Sequence, residues 1–205
     1  MTDQKEHWET VYASKNPSEM SWYQALPTIS LELIDAIKPA HDAAIIDIGG
    51  GASTLVDHLL DQGFTNLTVL DIATTALNQT QKRLGTRASQ VSWLEANILK
   101  AELPVRHYQI WHDRAVFHFL TEPRDQARYV AQLERSIAPG GRVIMATFAL
   151  NGPARCSGLL ISQHNASSLQ KIFGSSFALE DSKLETHRTP NGVEQHFQYV
   201  VFRAS

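Results

Sequence analysis

The stretch Ala43–Leu60, AAIIDIGGGASTLVDHLL, runs from buried-type residues through an acidic residue and three glycines into a helical pattern. A turn of this kind lets bare backbone N–H groups approach a ligand or another segment with no side chain between. Its spacing is Asp47-x-Gly49-x-Gly51-x-Ser53. A dinucleotide fingerprint needs a glycine where Thr54 stands, and no phosphate-binding G-x-x-x-x-G-K-[ST] occurs. Twenty residues beyond Gly51, Asp71 ends the run LTVLD. A carboxylate there can accept both hydroxyls of a ribose, or cap the helix that begins near Ala73. A third run ends in LEANIL, where the Asn97 amide can pair with a base edge and Ile98 and Leu99 offer apolar contact. Alone, Asn97 is an ordinary turn residue; three suitable strand ends in succession point to one nucleoside-type ligand.

A fourth run carries different chemistry. WHDRAVFHFL brings together His112, Asp113 and Arg114, with His118 four residues further on. His112 is the first candidate for a base or orienting group, because imidazole titrates near neutrality; the alternative is a histidine hydrogen-bonded at a strand end. Asp113 suits a cationic acceptor or a ligand ammonium, and Arg114 an anionic acceptor, unless the two form a local ion pair. His118 is expected to pack. Cys156, in the long segment TFALNGPARCSGLLISQHN, offers either a soft contact or a small buried side chain. His187 and Arg188 belong to a turn that can reach a pocket rim. No H-E-x-x-H and no cysteine pair occurs, so no metal site is expected.

These residues need a scaffold, and periodicity supplies one. Strands are expected at Ala44–Ile48, Leu67–Ile72, Val91–Ala96, Tyr108–His112 and Arg142–Phe148. Helices are expected at Thr54–Leu60, Thr75–Leu84 and Pro123–Ile137, the last capped by Thr121 and stopped by APGG. A short helix at Ser167–Phe173 precedes two strands, Phe177–Thr186 and Glu194–Phe202, around Pro190-Asn191-Gly192. Alternating strands and helices imply a parallel sheet with right-handed crossovers, and so tight a final turn implies an antiparallel hairpin. The expected fold class is α/β: a doubly wound, mostly parallel seven-stranded sheet with an antiparallel C-terminal hairpin and an N-terminal helical cap. Two helical faces precede the sheet, Trp8/Val11/Tyr12 and Leu31/Ile34/Ile37, with an exposed-looking Trp22-Tyr23 pair between them. The whole, 1–205, reads as a single domain, with the cap over 1–40 and the core over 41–205.

Bulk composition narrows the partners. At 205 residues and 43% hydrophobic content the chain can bury a substantial core. A net charge of -3 disfavours nucleic acid, and no apolar run approaches membrane-spanning length. One cysteine excludes an internal disulfide and suits a reducing, cytoplasmic location.

The ordered motifs IIDIGGGAS, VLDIA, LEANIL, WHDRAVFHFL and SIAPGGRVIMATF closely resemble those of class I S-adenosylmethionine-dependent methyltransferases, over about Ala43–Phe148. The resemblance implies a Rossmann-like fold and S-adenosyl-L-methionine as cofactor. It sets Gly49 and Gly51 beside the methionine part, Asp71 on the ribose, and Asn97 with Ile98 on the adenine. Asp47, Ser53, Ile72, Trp22 and Tyr23 complete the implied cofactor set. Two departures stand out: Asn97 replaces a common Asp, and Gln109 stands where an acidic residue is common, a change expected to alter strand packing. The first forty residues resemble small bacterial methyltransferases related to citrate synthase-lysine methyltransferases and, more loosely, thiopurine and tellurite methyltransferases. Trp22 and Tyr23 then either close over cofactor and substrate or pack the cap on the core. The expected activity is methyl transfer to a small nucleophile such as a thiol or amine. The rivals are protein lysine methylation and a non-catalytic cofactor-binding interaction protein; oligomeric state is left open.

Overall fold

The computed structural model describes residues 2–205. Helix α1 (Thr2–Ser14) and α2 (Thr28–Ile37) lead into β1 (Ile45–Ile48), α3 (Leu55–Asp61), β2 (Leu67–Asp71), α4 (Thr74–Leu84) and β3 (Val91–Glu95). Then follow β4 (Tyr108–Arg114), α5 (Pro123–Ser136), β5 (Ile137–Phe148), the two-residue strands β6 (Arg155–Cys156) and β7 (Leu159–Leu160), α6 (Ala166–Phe173), β8 (Phe177–Arg188) and β9 (Glu194–Ala204). The main sheet has the order β3-β2-β1-β4-β5-β9-β8. Its first five strands are parallel, and β9 and β8 are antiparallel additions. The doubly wound, seven-stranded expectation is met. The order reverses between β1 and β4, and ligands of open α/β sheets bind at such a switch, outside the carboxyl ends of the strands.

Each face of the sheet carries its own core. Ile46, Ile48, Trp111, Tyr129, Phe173 and Phe202 pack on one side. Ile45, Leu55, Val69, Ile110, Ile144 and Phe197 pack on the other. β1 and β2 are buried along their whole length, as strands covered by helices on both faces must be. Leu31 and Ile34 of α2 share the second core with the sheet, so α2 is a layer of the fold. Only α1 and the segment after it form an outlying cluster, with Tyr12 and Met20 packed on Ala52, Ala73 and Ala76.

Local chemistry explains where elements start and stop, and where the sequence reading needs adjusting. Helix α5 starts on Pro123 with Glu122 as N-cap and no side-chain cap, so the cap expected from Thr121 is not formed. The proline lacks one of the N–H groups that a cap would satisfy, which lowers the need for one. The APGG stop lies inside the irregular beginning of β5, where the register against β4 jumps from Tyr108/Ile137 to Ile110/Arg142. No helix joins β3 to β4, so the parallel strands share only three helical crossovers, α3, α4 and α5. Gln109 accepts a hydrogen bond from Ala44 N at 2.6 Å, tying β4 to the entry of β1. Helix α1 is held by polar hooks. Glu9 accepts from Thr74 N (2.7 Å) and Thr75 N (3.0 Å) at the start of α4, Gln79 donates to Tyr12 O (2.8 Å), and Lys5 pairs with Glu95. Against the penalty of burial, the bonds from Thr75 and Thr74 hold the Glu9 carboxyl below the usual range.

Candidate active site

The glycine turn follows β1, and its shape is set by what lies against it. Gly49 has φ +69°, and a Cβ there would come within 2.1 Å of Val116 Cγ2. Gly51 N donates to Asp71 Oδ2 at 3.0 Å, and a Cβ on Gly51 would lie 2.5 Å from that oxygen. The Gly51 carbonyl accepts from Thr80 Oγ1 at 2.5 Å. The bare turn therefore admits the Asp71 carboxylate and Val116 as closely as it admits any ligand. Ser53 is partly spent on the next helix, its Oγ accepting from Leu55 N at 3.0 Å.

Asp71 accepts from Ala73 N (2.8 Å) with its other oxygen, so it caps the next turn while lining a crevice. Burial pushes its carboxyl up to about 6, against the pull of the Ala73 and Gly51 hydrogen bonds and with a further push from Asp47. Each carboxylate oxygen keeps a lone pair for a ligand hydroxyl. Asn97 accepts from Leu99 N (2.9 Å) and lines the same crevice with Ile72 and Ile98.

Two adjoining crevices lie at these strand ends. The first holds about 850 Å³, part of it open to solvent, and runs from Ile72, Asn97 and Ile98 past Asp71 and Gly49 to Arg114, Phe119 and Cys156. The second holds about 560 Å³ and is lined by Asp47, Gly49, Ser53, Tyr23, Ser30 and His112 among others. Tyr12, Trp22, Gly49 and Arg114 border both. Gly51, Asp113, His118 and His187 border neither. Sequence reading missed that α1 forms a wall, with Gln4, Trp8 and Tyr12 lining the first crevice. The available signal was the i, i+4 pair Trp8/Tyr12, which packs with Trp22 at centroid distances of 5.9 and 6.2 Å. Trp22 thus both packs the cap and borders the crevices; Tyr23 borders the second alone.

The end of β4 departs most from expectation. His112 is buried, with Nδ1 2.7 Å from Asp47 Oδ1 and Nε2 2.9 Å from Ser30 Oγ. The row has the form of a hydrolytic triad, yet Ser30 has no exposed surface, so it braces α2 against β1 and β4. Asp113 is fully buried. It accepts from Val116 N (2.9 Å), Phe117 N (3.3 Å) and Tyr129 Oη (2.5 Å), and does not reach an acceptor or a ligand ammonium. Burial pushes its carboxyl up to about 6 despite these donors.

Arg114 is tied down too. Nε donates to Tyr199 Oη (2.8 Å), Nη1 to Trp22 O (2.9 Å), and Nη2 lies 3.6 Å from Glu185 Oε2. Its guanidinium also stacks 4.5 Å from the Phe197 ring centroid. It struts the cap, while Nη2, buried without a hydrogen bond, belongs to a residue that borders both crevices. His118 is buried and driven down to about 3 by burial, so it stays neutral, as a packing residue should. His187 Nε2 donates to Ser21 O at 2.8 Å, another strut to the cap. Cys156 lines the first crevice, with burial pushing its thiol up to about 11. Among the described residues no group of three or more His, Cys, Asp or Glu could hold a metal ion, and no helix is long and apolar enough to cross a membrane.

Comparison with known proteins agrees with this geometry. A family model described as a methyltransferase domain matches residues 46–143, from β1 to β5. The eEF1A lysine and N-terminal methyltransferase of Homo sapiens is 25% identical over 190 residues, covering 93% of this chain and 26% of that protein. The chain therefore spans about a quarter of that relative's length. An uncharacterised methyltransferase of Mycobacterium tuberculosis (strain ATCC 25618 / H37Rv) is 28% identical over 116 residues, 57% of this chain and 56% of that protein. Among solved structures, one described for the conversion of a disulfide bond into a thioacetal group during echinomycin biosynthesis aligns with a TM-score of 0.80 at 19% identity, covering 98% and 92% of the two chains. Burkholderia thailandensis 1,6-didemethyltoxoflavin-N1-methyltransferase, solved with 1,6-didemethyltoxoflavin and S-adenosylhomocysteine, aligns at 0.71 and 17%, covering 100% and 85%. Strand order, glycine turn, family model and relatives together support the class I S-adenosylmethionine-dependent methyltransferase family for this chain.

Proposed function

We propose that this chain transfers the methyl group of S-adenosylmethionine to a small-molecule acceptor held in the first crevice. One observation carries the reading: the crevice passes the carboxyl ends of β3, β2, β1 and β4, with Asp71 and Asn97 on it and the rings of Trp8, Tyr12 and Trp22 around it. Asp71 takes the ribose hydroxyls, Asn97 and Ile98 take the adenine, and Gly49 and Gly50 border the methionine part. Asp47 Oδ2 is buried without a partner at the second crevice, and the cofactor's ammonium satisfies it. Ser53 and Tyr23 border that same space.

When bound, the cofactor supplies an already activated methyl on a sulfonium. The protein's task is then to hold the acceptor in line and exclude water, an effect worth about 7–11 kcal/mol in favourable systems. Trp22, pinned through its carbonyl by Arg114, forms one side of the chamber. The single buried cysteine suits the cytoplasm as the place of action.

Protein amine methylation is the second reading, favoured by the relatives named for eEF1A lysine and N-terminal methylation. Incubation with methyl-labelled cofactor and fractionated cell extract separates the two. Label in small molecules supports the first reading, and label confined to polypeptide replaces it with the second. Cofactor bound by calorimetry without label transfer to either fraction favours a binding protein.

A further inference from the structure

We propose that the acceptor is a neutral, planar heteroaromatic molecule that attacks through a ring-nitrogen lone pair, with no base supplied by the protein. This rests on the methyltransferase reading above and names the substrate class of the same chamber.

The first support is an inventory of charge. Besides Asp71, assigned to the cofactor ribose, the titratable groups lining the first crevice among the described residues are Tyr12, Arg114 and Cys156. The Arg114 guanidinium stays charged, donating to Tyr199 and Trp22, with Nη2 3.6 Å from Glu185 and without a hydrogen bond, so it offers no base. Burial holds the Tyr12 phenol well above its ordinary range and the Cys156 thiol at about 11, so both keep their protons near neutrality. His112 and His118 do not line this crevice, and each has a ring nitrogen taken by a protein partner. An acceptor that must lose a proton before attack, such as a primary ammonium or an alcohol, finds no group to take it among the described residues of this crevice. An acceptor thiol meets the burial penalty that the Cys156 thiol already reports.

The second support is the wall. Trp8 packs edge-to-face on Phe119 (5.1 Å, 78°) and on Trp22 (5.9 Å, 80°), giving the chamber aromatic sides. Ring faces are the negative part of the π quadrupole, so they favour a cation and disfavour an anion. A neutral heteroaromatic fits this polarity. Its nitrogen lone pair forms the N–CH₃ bond as the S–CH₃ bond breaks. The S–CH₃ electron pair returns to sulfur, leaving a neutral thioether and moving the positive charge onto the acceptor ring. That charge is then held among Trp8, Trp22 and Phe119, and any ring N–H proton leaves later to water.

Isoquinoline and benzimidazole serve as probes, against benzylamine and phenylmethanethiol of similar size. Quenching of tryptophan fluorescence reads binding without turnover, and mass spectrometry with methyl-labelled cofactor reads transfer. At least one heteroaromatic should bind and show kcat/KM at least tenfold above benzylamine and the thiol. Phe119→Leu should weaken heteroaromatic binding three- to tenfold, and more than it weakens S-adenosylhomocysteine. Equal or faster methylation of benzylamine or the thiol, or failure of both heteroaromatics to bind while S-adenosylhomocysteine binds, overturns the proposal. Failure of S-adenosylhomocysteine itself to bind removes the methyltransferase reading beneath it.

Discussion

The ends of β2 and β3 and the end of β4 both carry polar residues at the carboxyl edge of one sheet, yet they are wired differently. Asp71 and Asn97 each meet a local backbone N–H and still line the first crevice. His112, Asp113 and Arg114 are engaged by Asp47 and Ser30, by Tyr129 and two backbone amides, and by Tyr199 and Trp22. Burial of a charged or polar group is tolerable only when its hydrogen bonds are made, so the β4 residues are paired inward. Residue type names a capability; unspent lone pairs on a crevice wall decide whether it is available. That contrast leaves the ends of β2 and β3 with unspent lone pairs on the first crevice, while His112 and Asp113 of β4 are paired inward.

Arg114→Ala should give the largest effect. It leaves Glu185 buried without its cation and frees the Trp22 carbonyl, a loss on the order of 3–5 kcal/mol in urea denaturation. An acceptor-binding arginine would instead leave stability intact and raise KM alone, which would erase the contrast.

Asp71 tests the other edge. Asp71→Asn should weaken S-adenosylhomocysteine about 100-fold by calorimetry, since charge-assisted hydrogen bonds to the ribose are each worth about 1.5–3 kcal/mol. The same variant should stabilise the ligand-free protein. The folded carboxyl titrates at about 6 against 3.8 unfolded, so the native state binds more protons between those values and wild-type stability falls as pH rises through that window. The variant's advantage should therefore grow from pH about 4 to 6 and then level off, at no more than roughly 3 kcal/mol. A gain that shrinks with rising pH would mean that the carboxylate is not strained by burial.

His112→Ala comes next. A brace predicts a loss of about 1–3 kcal/mol with the pH profile of methyl transfer unchanged, because two buried partners are orphaned. Disappearance of one limb of that profile would return the imidazole to a proton-transfer role. The smallest effect belongs to Asn97→Ala, about 1 kcal/mol or fivefold in cofactor affinity. An unchanged affinity would take the adenine assignment away from β3.

Much of the molecule was legible early because its signals are local. Buried runs ending in Asp47 and Asp71, the glycines between strand and helix, and the hairpin around Gly192 depend on neighbours a few residues away. They announced the parallel strands, the crossovers and the antiparallel end. The missed Thr121 cap is local as well, a case where Pro123 removed part of the need for it. The wall formed by α1 was illegible for a different reason. Trp8 and Tyr12 read as any helix face, and only docking of that helix through Glu9 on the start of α4 turns them toward the first crevice.

The amino-acid order by itself determined a doubly wound sheet with a glycine turn and acidic or amide groups at three successive strand ends, because strand periodicity and turn stereochemistry act over short range. Tertiary structure alone decided the fate of the β4 residues. Asp47 lies 65 residues from His112, Tyr199 lies 85 from Arg114, and Trp22 lies 92 from it. They meet because β1 pairs with β4, β5 lies between β4 and β9, and the cap folds back across that edge. Whether a polar side chain is free for chemistry depends on such distant partners, and their proximity is set by strand order rather than by chain neighbours.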